Sequence, residues 1–276
     1  MSWDDPDLET TGGASRSAIR VDFWERQIDR ALKLIDTVAG ANELLSFYVH
    51  LLRAQEGIYK HFQNREWVPS GDLAGDVTFI RPAFPEILEA VHQAGPPPLV
   101  EQARALQSMD ANHLDHMLLT YWHEPSDTEF FAKAFLQPYG QYIAQLMTQT
   151  EAVSERRCPH CFGKPQLSIL QNKEPGAESG NRDLMCAKCL SVWPFRRAVC
   201  AHCGEEDPAK LAFFQSATHE HVRVEACDTC KHYLKGVDLT RMGHAQPLVD
   251  EVAAAPLDLW ATEHGYTKIE LNLVGL

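Results

Sequence analysis

Eight cysteines could do chemistry in this chain, and all eight fall in CxxC pairs: Cys158/Cys161, Cys186/Cys189, Cys200/Cys203 and Cys227/Cys230. None precedes Cys158. Twenty-four residues separate Cys161 from Cys186, 23 separate Cys203 from Cys227, and only ten lie between Cys189 and Cys200. The region is therefore a duplication of one unit, CxxC-x23–24-CxxC. A two-residue gap lets both thiolates of a knuckle reach one ion, and two knuckles supply the four tetrahedral ligands that zinc favours. The same set suits a mononuclear iron site of rubredoxin type. Sequential pairing, 158/161 with 186/189 and 200/203 with 227/230, is favoured, although interleaved pairing also satisfies the ligand count. A closed four-thiolate shell leaves no position for substrate and acts first as a staple for a poorly cored region.

Other chemistry for these pairs is disfavoured. A thioredoxin-like role needs CxxC opening a helix in a βαβ unit, and no pair has that setting. A CxxCxGxG chaperone module is excluded by the residues after each pair. His113 and His116 stand three apart on an expected helix with His123 near its end, but no carboxylate motif completes a site. His160, His202 and His232 lie in or beside knuckles, and His219 and His221 are expected on one strand face; none is assigned as a ligand. GxGxxG, P-loop, GxSxG and HExxH motifs do not occur, so the chain reads as a non-enzyme.

Hairpins must position the knuckles. In the first unit Leu167, Ile169 and Leu184 flank a polar loop at 171–181. In the second, Leu211–Phe214 and Val222–Val224 flank a turn near Ala217–Glu220. Residues Val192–Val199 read as an extended connector. Gly163 and Gly204 follow the first knuckles, where glycine lets backbone amides turn toward sulfur; Leu190 and Lys231 follow the second ones.

The N-terminal half is helical by its periodicity. Trp24, Ile28, Ala31, Leu32 and Ile35 form one stripe ended by Gly40, and Leu44, Tyr48, Leu51, Leu52, Ile58 and Phe62 form another. A loop is expected over 63–82, then a helix from Pro85 through Val91 that Gly95-Pro96-Pro97-Pro98 must break. Shorter helices are expected over 99–107 and 111–122. Ser126 and Glu129 have capping-box spacing before Phe130, Ala134 and Phe135, and Pro138 should kink or divide that helix.

The composition is that of an ordinary globular protein, with 45% hydrophobic and 23% charged residues. The net charge is −13, of which −10 falls before residue 151 (11 basic, 21 acidic) and −3 after it (14 basic, 17 acidic). Neither half has the basic balance of a nucleic-acid binder. No apolar run suffices for membrane insertion, and the acidic start lacks a signal peptide's basic and apolar regions. The expectation is a cytoplasmic α+β protein: a disordered N-terminus over 1–18, an all-helical domain over 19–152, and a metal-binding domain over 153–276. The last contains two tandem rubredoxin-like or zinc-ribbon units with short β-hairpins (156–192 and 197–240), then a C-terminal helix and tail.

Four segments carry a resemblance. Cys158-Pro159-His160-Cys161, Cys186-Ala187-Lys188-Cys189, Cys200-Ala201-His202-Cys203 and Val224–Cys230 followed by Tyr233-Leu234-Lys235 resemble the FdhE family of formate dehydrogenase accessory proteins. The run PLVDEVAAAPLDLWATEHGY (247–266) is similar to that family's closing segment. Two departures are Phe162, inserted before Gly163, and Lys231, where a glycine is expected. The resemblance implies a cytoplasmic assembly factor that contacts the catalytic subunit of molybdenum- or tungsten-containing formate dehydrogenase. It also implies rubredoxin-like iron sites, which makes iron as acceptable as zinc. The rival reading is a rubredoxin-like one-electron transfer protein.

Overall fold

The computed structural model describes residues 18–38, 40–64, 67–146, 154–172 and 180–276. The expected N-terminal tail, most of the 171–181 loop and the junction at 147–153 lie outside them. Seven helices come first: α1 (Ala18–Ile35), α2 (Asn42–Gln63), α3 (Leu73–Ile80), α4 (Pro85–Ala94), α5 (Pro97–Gln107), α6 (Ala111–His123) and α7 (Phe130–Leu146). Strands β1 (Pro165–Gln171), β2 (Asn181–Cys186), β3 (Val192–Phe195), β4 (Leu211–Gln215), β5 (Val222–Cys227) and β6 (His232–Asp238) follow. Helices α8 (Pro247–Ala253) and α9 (Ala255–Glu263) and the short β7 (Thr267–Lys268) close the fold, two helices where one was expected.

The helical stripes hold with three corrections. Leu32 is 40% exposed and Leu34 takes the inward position. The expected 63–82 loop contains α3, whose start Asp72 caps by accepting from the Ala74 amide at 3.3 Å. Pro69, Gly71 and Gly75 masked this helix, because they signal turns more strongly than eight residues signal a period. Pro138 does not divide α7. A proline deprives the carbonyl four residues back of its donor, and Gln55 Nε2 of α2 supplies the replacement by donating to the Ala134 carbonyl at 2.9 Å.

Both cysteine units contribute to one sheet, in the order β3-β2-β1-β6-β5-β4 with β7 beside β6. Each unit is an antiparallel three-stranded meander. The units join where β1 runs parallel to β6, with Leu167 opposite Lys235 and Leu170 opposite Asp238. The first strand of one unit thus pairs with the third strand of the other, so the duplicates are related by translation along the sheet. The expected extended connector is partly a strand, β3 paired to β2.

The halves share a core. Trp24, Leu52 and Phe135 belong to the same buried cluster as Leu167, Met185 and Leu190 of the sheet, Val249 of α8 and Leu273 of the tail. A second layer of order is ionic. Lys235 and Glu251 are fully buried, and with Asp258 and Lys268 they make a two-cation, two-anion cluster between the sheet and the α8–α9 layer. Gln166 donates to Glu251 at 2.8 Å and Tyr233 to Asp258 at 2.9 Å. A balanced, hydrogen-bonded cluster can tolerate burial that would expel any single member.

Across the sheet face, Arg182 of β2 reaches Glu225 of β5 at 2.6 Å. Gly236 of β6 lies on that path, where an added Cβ would meet Glu225 Oε1 at 2.6 Å and Ser168 Oγ at 2.8 Å. Absence of a side chain there lets the ion pair cross two strands.

Candidate metal centres

Each CxxC closes the same turn. The amide of the first cysteine donates to the carbonyl five residues on at Cys158, Cys186 and Cys200 (2.9–3.0 Å). The residue after the second cysteine donates back to the first cysteine's carbonyl in all four turns (2.8–3.2 Å). That geometry drives the residue after the second cysteine into the left-handed region: Phe162, Leu190, Gly204 and Lys231 have φ of 57°, 57°, 84° and 56°. Three of the four are not glycine, and each such residue costs about 1–2 kcal/mol of backbone strain. Leu190 offsets it by burying its side chain in the main core. Lys231 reaches Asp228 at 2.5 Å.

Gly163 has a different role from the one its position suggested. Its φ is not positive; a Cβ there would stand 2.9 Å from Cys186 Sγ and 3.3 Å from Cys161 Sγ. The glycine clears space for the sulfurs. The amides of His160, Lys188 and His202 point at the sulfur of the preceding cysteine, at 3.5, 3.3 and 3.4 Å.

The turns converge as sequential pairs. Sγ atoms of Cys158, Cys161, Cys186 and Cys189 lie within 4.8 Å of one another, as do those of Cys200, Cys203, Cys227 and Cys230. In site one the contacts are 3.5 Å (158–189), 3.3 Å (161–186) and 3.4 Å (161–189). In site two they are 3.8 Å (200–230) and 3.7 Å (203–227). Metal–sulfur bonds of about 2.3 Å in a tetrahedron give edges of about 3.8 Å, whereas a disulfide needs about 2.05 Å. No cysteine is disulfide-bonded. The donor set fits one ion per site, zinc or iron; four thiolates packed this closely without a cation would repel one another. Burial pushes the Cys186 and Cys200 thiols up, while hydrogen bonds from its three neighbours hold Cys158 well below the ordinary thiol range.

Cross-links tie the knuckles within each site. The Ala187 amide donates to Lys164 at 3.1 Å, and the Asp228 amide donates to Lys210 at 2.8 Å. These are equivalent bonds, from the middle of a second knuckle to the residue before the unit's first strand.

The surroundings of the sites differ. Site one faces α7: a Cβ on Gly140 would meet the Lys188 carbonyl at 2.8 Å, and Gln137 Nε2 donates to the Ala187 carbonyl at 2.9 Å. Lys188 donates to the Trp122 carbonyl at 2.6 Å and lies 3.6 Å from the centre of its ring. Site two is open. Cys203 is exposed and Cys230 half-buried, and the imidazoles of His202 and His232 stack beside it at 3.8 Å and 5°. Arg156 donates to the His202 carbonyl at 2.7 Å.

The other histidines form no third site among the described residues. His113 pairs with Asp110 at the start of α6, and His116 and His123 are exposed. His219 and His221 do not share a strand; they precede β5, and His221 meets Asp250 at 2.7 Å, beside Arg30. Gly140, Gln137 and the Gln55–Pro138 compensation escaped sequence reading. An inward glycine two residues after a proline was their only local signal.

These features define a class: a helical bundle supporting two tandem four-cysteine units merged into one sheet. Residues 198–274 match the family model described as "FdhE, C-terminal domain", which spans the second unit and the closing helices. A protein FdhE homolog of Aquifex aeolicus is 29% identical over 201 residues, covering 71% of this chain and 70% of that protein. One from Pseudomonas aeruginosa is 33% identical over 130 residues, 45% of this chain and 41% of its own length. The crystal structure of the FdhE protein from Pseudomonas aeruginosa shares the fold, with a TM-score of 0.70 and 23% identity over 92% of this chain and 96% of that one. The chain is thus similar to FdhE proteins in sequence, most specifically through their C-terminal domain, and shares their fold over nearly its whole length.

Proposed function

We propose that this protein is a non-catalytic, cytoplasmic accessory factor for formate dehydrogenase that binds the enzyme's catalytic subunit during assembly. In this reading Cys158, Cys161, Cys186 and Cys189 hold one mononuclear iron or zinc ion, and Cys200, Cys203, Cys227 and Cys230 hold another. The bound ions would supply fold energy and a fixed local geometry. The observation that carries the reading is the pair of closed four-sulfur cages: with every ligand position taken by protein, neither offers a substrate a place to bind. The metal-bearing region (153–276) and the helical domain (19–152) would act as one rigid body through their common core. Among the described residues no helix is long and apolar enough to cross a membrane.

The test is co-purification of the catalytic subunit with the tagged, metal-loaded chain from a native lysate. Enrichment over an untagged control is expected; its absence with both ions retained overturns the reading.

A second reading, one-electron transfer, is favoured by one observation only: Cys203 of site two reaches the surface. It requires iron and a visible thiolate-to-iron absorption that bleaches on reduction. A colourless, zinc-only protein eliminates it.

A further inference from the structure

A cleft of about 430 Å³ opens where the helical half meets site one. Its walls are the end of α6 (Tyr121–His123), the first knuckle from Cys161 to Lys164, and Ala187-Lys188 of the second. Cys161 is the only site-one sulfur that is not fully buried, and it lines this cleft. Three cations, Arg157, Lys164 and Lys188, stand around it against Glu270 and Cys161, whose four-thiolate site carries a net negative charge with a divalent ion bound. Buried Lys133 already meets Glu270 at 3.4 Å, and Lys164 lies only at 3.7 Å from it and remains exposed. Arg157 is exposed and makes no ion pair among the described residues. Exposed cations gathered at the mouth of one cleft are a distinct electrostatic feature on a chain of net charge −13.

Phe162 adds an apolar element at the rim. It is 47% exposed, left-handed, and its ring meets no other ring among the described residues. The three equivalent positions are a glycine, a buried leucine and a lysine engaged with Asp228. Phe162 alone bears left-handed strain with neither burial nor an ion pair to offset it. Exposed aromatics and arginine are enriched on protein-recognition surfaces.

We infer that this cleft binds an acidic peptide segment of a partner protein, its carboxylates on Arg157 and Lys164 and an apolar side chain against Phe162. Nucleic acid is the poorer occupant, since the acidic remainder of the surface repels a phosphate chain. The inference rests on the accessory-factor reading for its biological partner, but the binding chemistry can be tested apart from it.

The probe is a fluorescein-labelled peptide of sequence Glu-Asp-Leu-Asp-Glu, with its lysine-substituted counterpart as control, followed by fluorescence polarisation on the metal-loaded full chain. The acidic peptide should bind, weaken as salt is raised, and lose about tenfold in affinity in both Phe162→Gly and Lys164→Glu. Glycine already occupies the equivalent place in site two at Gly204, so Phe162→Gly should keep its metal content and unfolding midpoint. Failure of the acidic peptide to bind, equal binding of the lysine peptide, no change in Phe162→Gly, or equal displacement by oligothymidylate would each overturn the inference. Capture of the catalytic subunit separates the two claims. If wild type and Phe162→Gly capture it equally, the cleft is not the docking site and the accessory reading stands. If the peptide binds as expected and the subunit is never captured, the accessory reading falls and the cleft's chemistry remains.

Discussion

Sites one and two have the same turns and the same four-cysteine set, yet they occupy opposite environments. Site one is walled in by α7, with three of its four sulfurs fully buried, and its second knuckle places Leu190 in the main core. Site two hangs at the far part of the sheet with Cys203 at the surface. Duplication supplied two equal cages, and packing then made one a keystone and left the other accessible. Spacing dictates coordination; only tertiary contact dictates what an ion does for the rest of the fold.

Substitution of a ligand in each site gives the sharpest contrast. Cys186→Ser should remove the site-one ion and unfold both halves together, because structural four-ligand zinc contributes on the order of 10 kcal/mol of folding energy. Cys203→Ser should release only the site-two ion and leave the far-ultraviolet dichroism of the helices unchanged. Equal damage from both substitutions, read by thermal unfolding and metal analysis, would erase the distinction between the sites.

Acid should act through a third locus. Asp250 is buried, and although burial pushes its carboxyl up, His221 and Arg30 outweigh that and hold it below the ordinary carboxylate range. A depressed folded value means stability that is present above the unfolded carboxylate pKa of about 4 and is lost as pH falls through the folded value. Asp250→Asn should cost about 3 kcal/mol near neutrality and flatten the acid limb of a denaturation profile. An unchanged limb would show that this ion pair is not what links α1 to α8.

A smaller effect probes the contact that makes site one different. Gly140→Ala drives a methyl into the Lys188 carbonyl and should cost about 2 kcal/mol, with metal affinity at site one falling and that at site two unmoved. Smallest of all is a difference in rate alone: a chelator with a chromogenic zinc or iron readout should draw out the two ions in two phases, site two first. A single phase would contradict the burial difference.

Much of this was legible in the residue string, and the legible parts share a cause. The sulfurs gather in the sequential groups that local spacing favoured, and α1, α2, α4, α5, α6 and α7 follow from their apolar period. What escaped is non-local. Gly140 and Gln137 carry no sign that they face a knuckle. Pro138 reads as a break until Gln55, from another helix, is seen to satisfy the freed carbonyl. Fusion of the units through β1 and β6 depends on strand edges that spacing does not order. Helix α3 failed for a local reason: its turn residues outweighed a single cap at Asp72. At the first knuckle of site one glycine was a poor guide, since the left-handed position is Phe162 and Gly163 is there for the sulfurs, whereas Gly204 does take that position in site two.

The tail that carries Leu271 and Leu273 has a consequence for synthesis. Lys133 of α7 donates to the Leu271 carbonyl, and Leu273 lies in the same cluster as Trp24. Domains usually fold as they emerge from the ribosome, N-terminal part first. Here the core that holds Trp24 is completed by residues some 250 positions downstream, so a nascent chain would pass through an interval in which that core is incomplete and every cysteine has already been translated. Metal delivery during that interval would reach site one before α7 closes over it.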